Sequence, residues 1–201
     1  MLSGGRARRL GGARKAHVEV GGRAMLDLVL DAVQGAGVSR VVVVGDPPPA
    51  PRDGVQVTRE EPAFGGPLAG LAAGLALVGA DATDVLVLAC DLPRAHGLVR
   101  LLLGATPAPD GPDGLVVVDG GGHEQWLAGR YSAPALRSAL AAVADERGGD
   151  PGGAPVRAAL GRLRATPVPD PDHASDDVDT PADLDRARRR VGRVPHEGGR
   201  P

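Results

Sequence analysis

The stretch from Leu2 to Lys15 reads LSGGRARRLGGARK: two glycine pairs, Gly4-Gly5 and Gly11-Gly12, bracket the cations Arg6, Arg8 and Arg9, and Arg14 and Lys15 follow. Without Cβ atoms the backbone approaches an anion closely and takes positive φ, so successive N–H groups converge on phosphate oxygens while the long cations neutralise the outer charge. Such a loop holds a polyphosphate. The same composition is also that of a flexible basic terminus, and the elements that follow decide between the two.

Those elements alternate between the periods of strand and helix. Val18 to Val20 reads as a short extended piece turning at Gly21-Gly22 into a helix through about Gln34, with Leu26, Val29, Leu30 and Val33 on one face. Val41 to Val44 is an unbroken β-branched run, the mark of a strand covered on both faces. Val55 to Thr58 is a second strand, and Pro67 opens a helix whose Leu68, Leu71, Leu75 and Val78 align. Val85 to Ala89 predicts a strand, His96 to Leu103 a helix, Leu115 to Val118 and Gln125 to Tyr131 two more strands, and Pro134 to Ala144 a helix. A short helix over Val156 to Leu163 and a brief strand at Thr166 to Val168 follow. Thr180, Pro181 and Asp183 then announce a last helix to about Val191 as N-cap, first position and acidic third position. Alternation of this kind implies a mainly parallel sheet with helices on both faces.

Composition sets bounds. The 201 residues suit one domain, read here as 1–191 with a disordered polar tail over 192–201. With 31 glycines, 19 prolines and one each of Trp, Tyr and Phe, the core must be built from Val, Leu and Ala. A formal net charge of −2 argues against general attraction to nucleic acid or to an anionic membrane. The single cysteine, Cys90, excludes an internal disulfide and fits a reducing compartment, and no apolar run follows the first cations as a secretory signal would require. The uncharged stretch from Pro62 to Ala80 is Gly- and Ala-rich and reads as a buried helix rather than a membrane span. A cytoplasmic protein is expected.

The second place for chemistry is Cys90-Asp91-Leu92-Pro93, directly after the VLVLA run. In open α/β sheets ligands gather beyond the carboxyl ends of the strands, and carboxylates are the usual protein ligands of Mg²⁺. Asp91 there either holds a cation or caps the following turn. Two other nucleotide loops do not fit. Lys15 is followed by Ala16-His17 rather than by Ser or Thr, and G-x-G-x-x-G is absent. The five histidines show no metal-ligand spacing.

LSGGRARRLGGARK resembles the nucleoside triphosphate loop of the molybdenum cofactor guanylyltransferase family, L-A-G-G-x-S-x-R-M-G-x-x-K. GGPLAGLAAGL (Gly65 to Leu75), ACDLP (Ala89 to Pro93), QWLAGRY (Gln125 to Tyr131) and DVDTPADL (Asp177 to Leu184) resemble that family's later motifs in the right order. The resemblance implies a glycosyltransferase-A-like, three-layer α/β/α Rossmann-like nucleotidyltransferase fold with a mainly parallel central sheet. It also implies transfer of GMP from GTP to the phosphate of molybdopterin with release of pyrophosphate, Mg²⁺ as cofactor, and cofactor-synthesis or acceptor molybdoenzyme proteins as further partners.

Carried over by position, Leu2, Ser3, Gly4 and Gly5 line the nucleotide, with Ser3 standing where Ala is usual. Arg9 and Lys15 neutralise the triphosphate, and Asp91 holds Mg²⁺. Glu60, or Glu61 one residue on, falls at a nucleotide-contacting acid. Asp177 and Asp179 match positions that contact the pterin side or the metal and are often Asn in guanylyltransferases. Aspartates there also occur in the related cytidylyltransferases, which keeps that activity as an alternative, and a nucleotide-binding protein without transferase activity is the alternative of another class. Family members begin with a hydrophobic strand, of which Met1-Leu2 is all that stands here, and the expectation is of a start several residues upstream.

Overall fold

The computed structural model describes residues 1–4, 6–7 and 13–191. The expected disordered tail, 192–201, lies outside them. In chain order the elements are the strands β1 (Arg6–Ala7), β2 (Ala13–Arg14), β3 (Glu19–Val20) and β4 (Arg23–Ala24), helix α1 (Met25–Gly35), β5 (Val41–Val44), β6 (Val55–Thr58), α2 (Pro67–Ala76), β7 (Asp84–Leu88) and α3 (Ala95–Gly104). There follow β8 (Gly114–Val118), β9 (Glu124–Ser132), α4 (Ala133–Glu146), α5 (Arg157–Leu160), β10 (Ala165–Pro169) and α6 (Pro181–Val191).

One mixed sheet carries the architecture. β10 pairs with β8, β8 with β9 and β9 with β7, while β5 pairs with β6. The two groups meet through the short stretch Met1 to Ser3. Leu2 forms parallel bridges to Val44 at the end of β5 and to Ala89 just after β7. Its N–H donates to the Leu88 carbonyl at 2.9 Å, its carbonyl accepts from Cys90 N at 3.0 Å, and Ser3 N donates to Val44 O at 2.8 Å. The spatial order is therefore β6-β5-Leu2-β7-β9-β8-β10. β10 runs parallel to β8, β5 parallel to β6, and β9 alone opposes its neighbours. The mainly parallel α/β/α sandwich expected from the sequence is what forms. Edge strand β10 carries Pro167 and Pro169, a placement reserved for sheet edges because proline cannot donate to a ladder.

Helices close both faces. Leu26 and Leu30 of α1 and Leu98 and Leu102 of α3 bury against Val43, Leu88, Leu115 and Val117 on one side. Leu68, Leu71 and Leu75 of α2, Leu136 and Leu140 of α4 and Leu160 of α5 cover the other, around the fully buried Tyr131. Tyr131 satisfies its hydroxyl by donating to the Trp126 carbonyl at 3.0 Å, as a tyrosine buried this completely requires. Gly74 lets α2 lie directly on the sheet, since a Cβ there would stand 2.8 Å from Val44 Cγ2. Helix α6 forms a small third cluster in which Ala187 and Val178 pack on Val20 and Met25. Its start is the expected reciprocal cap: Asp183 N donates to Thr180 Oγ1 at 3.2 Å, and Thr180 N donates back to Asp183 Oδ2 at 2.8 Å.

Among the described residues no helix is long and apolar enough to cross a membrane.

Candidate active site at the carboxyl edge of the sheet

The parallel strands deliver their following residues to one edge: Ser3-Gly4 after Leu2, Gly45-Asp46 after β5, Arg59-Glu60 after β6 and Cys90-Asp91 after β7. Ser3 is fully buried, and its hydroxyl donates to the carbonyls of Val44 at 3.1 Å and Asp46 at 2.7 Å. The hydroxyl thus ties the start of the glycine loop to the end of β5. Gly45 (φ +117°) is the other half of that junction, because a Cβ on it would stand 2.5 Å from Gly4 N. Gly5 and Arg9 lie outside the described residues.

Lys15 sits in a short 3₁₀ turn over Lys15–His17 after β2. Its ammonium forms ion pairs with Asp91 Oδ2 and Asp179 Oδ1. Burial alone would depress its pKa, but Asp91 and Asp179 outweigh that and hold it above the usual lysine range. Asp91 is 7% exposed and its Oδ1 has no hydrogen-bond partner, an unsatisfied buried carboxylate oxygen that calls for a cation. Its main-chain carbonyl accepts from Val178 N at 3.1 Å. Since Val178 is fully buried, this one bond holds the flanking, exposed Asp177 and Asp179 against Asp91.

One carboxylate oxygen from each of Asp91, Asp177 and Asp179 lies within 4.8 Å of the others. Three carboxylates against one ammonium leave excess negative charge, and an all-oxygen donor set suits a hard divalent cation. The residues fit such an ion. Asp177 reports the crowding: although the residue is open to solvent, its carboxyl is pushed up to about 6, by partial desolvation against its neighbours first and then by the charges of Asp91 and Asp179. Cys90, beside Asp91, is pushed up to about 12, chiefly by burial and next by the Asp91 charge, so it remains a thiol and serves as packing.

The Asp177 shift has a sign that can be measured. The folded state binds this proton more tightly than the unfolded chain does. Its contribution therefore favours the fold below the unfolded pKa of about 4 and is lost as pH rises through about 6. In the metal-free protein, calorimetric Tm is expected to fall more between pH 5 and 7 than in Asp177→Asn. Parallel curves for the two proteins would remove Asp177 from the charge cluster.

Glu60 is half-buried and Glu61 exposed. Glu60 Oε1 accepts from Phe64 N at 3.1 Å, which shapes the turn into the Gly65-Gly66 start of α2. Three features escaped the sequence reading. Asp46, at the mouth of the site, draws two guanidinium groups, Arg59 at 3.6 Å and Arg14 at 3.9 Å. The carboxylate of buried Asp170 accepts from Ala174 N, Ser175 N and Ser175 Oγ at 2.7 to 2.9 Å and folds the turn that delivers Asp177. The signal for that turn was present as Asp170-Pro171, a turn-initiating pair with a serine downstream. Val178 as the latch had no signal beyond being apolar between two acids.

A carboxyl edge that brings together the Ser3-Gly4 turn, Lys15 and a carboxylate cluster can hold a nucleoside triphosphate with a divalent cation. The chain belongs to the MobA-like NTP transferase domain family, which it matches over residues 1–173. It is 39% identical over 111 residues to a molybdenum cofactor guanylyltransferase of Acidiphilium cryptum, covering 54% of this chain and 57% of that protein. It is 34% identical over 139 residues to a probable molybdenum cofactor guanylyltransferase of Pelotomaculum thermopropionicum, covering 69% and 64%. The matches thus span less than two thirds of either relative. In structure it is similar to molybdopterin-guanine dinucleotide biosynthesis protein A of Archaeoglobus fulgidus, with a TM-score of 0.63 at 21% identity over 96% of this chain and 97% of that one. At that identity the likeness shows the fold.

Proposed function

We propose that the chain transfers GMP from GTP to the phosphate of molybdopterin, forming a guanine dinucleotide cofactor and releasing pyrophosphate. The observation that carries the transfer chemistry is Lys15 braced between Asp91 and Asp179 beside the Ser3-Gly4 turn. The names of the two curated relatives supply the substrates. The attacking phosphate is already an anion, so no strong general base is needed. The barrier lies in bringing it to the α-phosphate of GTP, and it is lowered by positioning and by charge.

The residues divide that work. Leu2, Ser3, Gly4 and Gly5 present the main chain to the nucleotide, and Glu60 faces it from the turn before α2. Lys15 and Arg9 neutralise the triphosphate. Asp91, with Asp177 and Asp179, would hold Mg²⁺, which when bound supplies positive charge against the phosphate oxygens. Lys15 is already desolvated and aligned, so little reorganisation is needed when phosphate takes the place of a carboxylate partner. A second reading, cytidylyl transfer, is favoured by one observation, the aspartates at both 177 and 179.

Calorimetric titration with GTP, CTP, ATP and UTP in the presence of Mg²⁺, followed by addition of molybdopterin, tests the reading. The expected result is selective GTP binding and pyrophosphate release on adding the acceptor. Preference for CTP would move the protein to the cytidylyl activity, and nucleotide binding without release would make it a non-catalytic binding protein.

A further inference from the structure

Of the chain's one phenylalanine, one tryptophan and one tyrosine, two belong to the interior. Tyr131 is fully buried, and Trp126 packs against the core beneath α2 and α4. Phe64 is the reverse. It is 81% exposed, where the next most exposed large hydrophobic among the described residues, Val57, is at 47%. It belongs to neither of the two hydrophobic clusters that close the faces of the sheet. Its main chain has φ +67°, in the left-handed region that a bulky residue rarely adopts. A large ring kept in water on a strained backbone is not explained by packing, and backbone outliers of this kind gather where a ligand is held.

The loop that carries Phe64 is braced on both sides. Phe64 N donates to Glu60 Oε1 at 3.1 Å, and Gly65 O accepts from Gly153 N at 2.7 Å. The 147–153 loop behind that second bond is itself closed. Arg147 Nη2 donates to Gly152 O at 2.7 Å, and Asp150 Oδ1 accepts from Gly152 N at 2.7 Å. The bracing reaches the nucleotide loop through Glu60. The point that a Cβ on Gly70 would occupy lies 3.9 Å from Glu60 Oε2 and 3.4 Å from Leu2 Cδ2. The carboxylate that fixes Phe64 therefore stands over the first turn of α2 beside Leu2, and Phe64 is held open at the carboxyl edge next to the Ser3-Gly4 turn.

A triphosphate seated at Lys15 and Asp91 has two sides on which to place its nucleoside. On the α1 side Asp177 and Asp179 close on Asp91, with Val178 packed on Met25. On the α2 side stand Glu60 and Phe64. The flat face of a nucleobase is apolar and polarisable, so it goes to the side that offers an aromatic ring rather than to a group of carboxylates. Resting on the nucleotide-transfer reading above, we propose that Phe64 is a stacking platform for the nucleobase, held in place by Glu60 and Gly153. Every base has a π-face, so the ring supplies affinity for the nucleoside and leaves the identity of the base to hydrogen-bonding groups.

The test is calorimetric titration of the parent chain and of Phe64→Ala, Phe64→Gly and Phe64→Tyr with GTP and Mg²⁺. A parallel titration uses Mg²⁺ and inorganic tripolyphosphate, which carries the charge but no base. Kd for GTP is expected to rise by roughly 5- to 100-fold in Phe64→Ala and to return to within about twofold of the parent in Phe64→Tyr. Kd for tripolyphosphate is expected to be the same in all four proteins. Phe64→Gly removes the ring and takes the positive φ without strain, so it separates the side chain from the turn. It is expected to bind GTP as weakly as Phe64→Ala, and parental affinity in the glycine variant overturns the proposal. So does an unchanged GTP affinity in Phe64→Ala. Equal weakening of GTP and tripolyphosphate overturns it as well, since the substitution would then act on the phosphate loop. A parent that binds no nucleoside triphosphate overturns the nucleotide reading and the stacking role together, whereas each of the other outcomes overturns the stacking role alone.

Discussion

Asp91→Asn is expected to lower the rate of pyrophosphate release by about 100- to 1,000-fold while leaving the fold intact. Asparagine keeps the size of the side chain, and the bond from Val178 N uses the main-chain carbonyl of residue 91, so the 177–179 loop stays docked. What goes is the negative charge that pairs with Lys15 and one of the two carboxylate oxygens that residue 91 offers a cation. Lys15 keeps Asp179 as a partner, so no buried ammonium is stranded. The rate is measured under saturating GTP and acceptor, with circular dichroism and Tm as the folding controls. A folded variant turning over within threefold of the parent would remove Asp91 from the chemistry.

Lys15→Met separates two roles that the ion pairs alone do not. As a counter-ion the ammonium competes with any divalent cation for Asp91 and Asp179; as a phosphate ligand it is needed in the transition state. Removing it is expected to tighten Mg²⁺ binding, measured by titration without nucleotide, because the ammonium that pairs with Asp91 and Asp179 is lost. Turnover is nevertheless expected to fall by ~100-fold or more. If raising Mg²⁺ restored the parental rate, Lys15 would be only a stand-in for the metal and not a group that acts on phosphate.

The parts of this molecule that were legible in its sequence are those where a local pattern and a tertiary demand coincide. Val41 to Val44 reads as a doubly covered strand because both faces are indeed covered, and Asp91 reads as a site residue because strand β7 ends just before it. Thr180-Pro181-Ala182-Asp183 encodes its own cap, and the cap forms. The reversed direction of β9 carried no such signal, since strand direction is set by which edge is open when the strand arrives. Nor did the charge cluster at Asp46, whose two arginines come from positions 14 and 59. The orientation of the turn before Gly65-Gly66, where Phe64 N donates to Glu60, likewise had no signal in the spacing of Glu60 and Glu61. Long-range partners of this kind leave no trace in spacing.

The bond from Val178 N to the Asp91 carbonyl also imposes an order in time. Lys15 and Asp91 are made well before Asp177 and Asp179, which lie beyond the 1–173 stretch that matches the family. A nascent chain emerging from the ribosome thus has its sheet and its lysine well before it has its full set of carboxylates. Until residue 178 docks, the growing protein carries Lys15 with one of its two acidic partners and only one of the three clustered carboxylates.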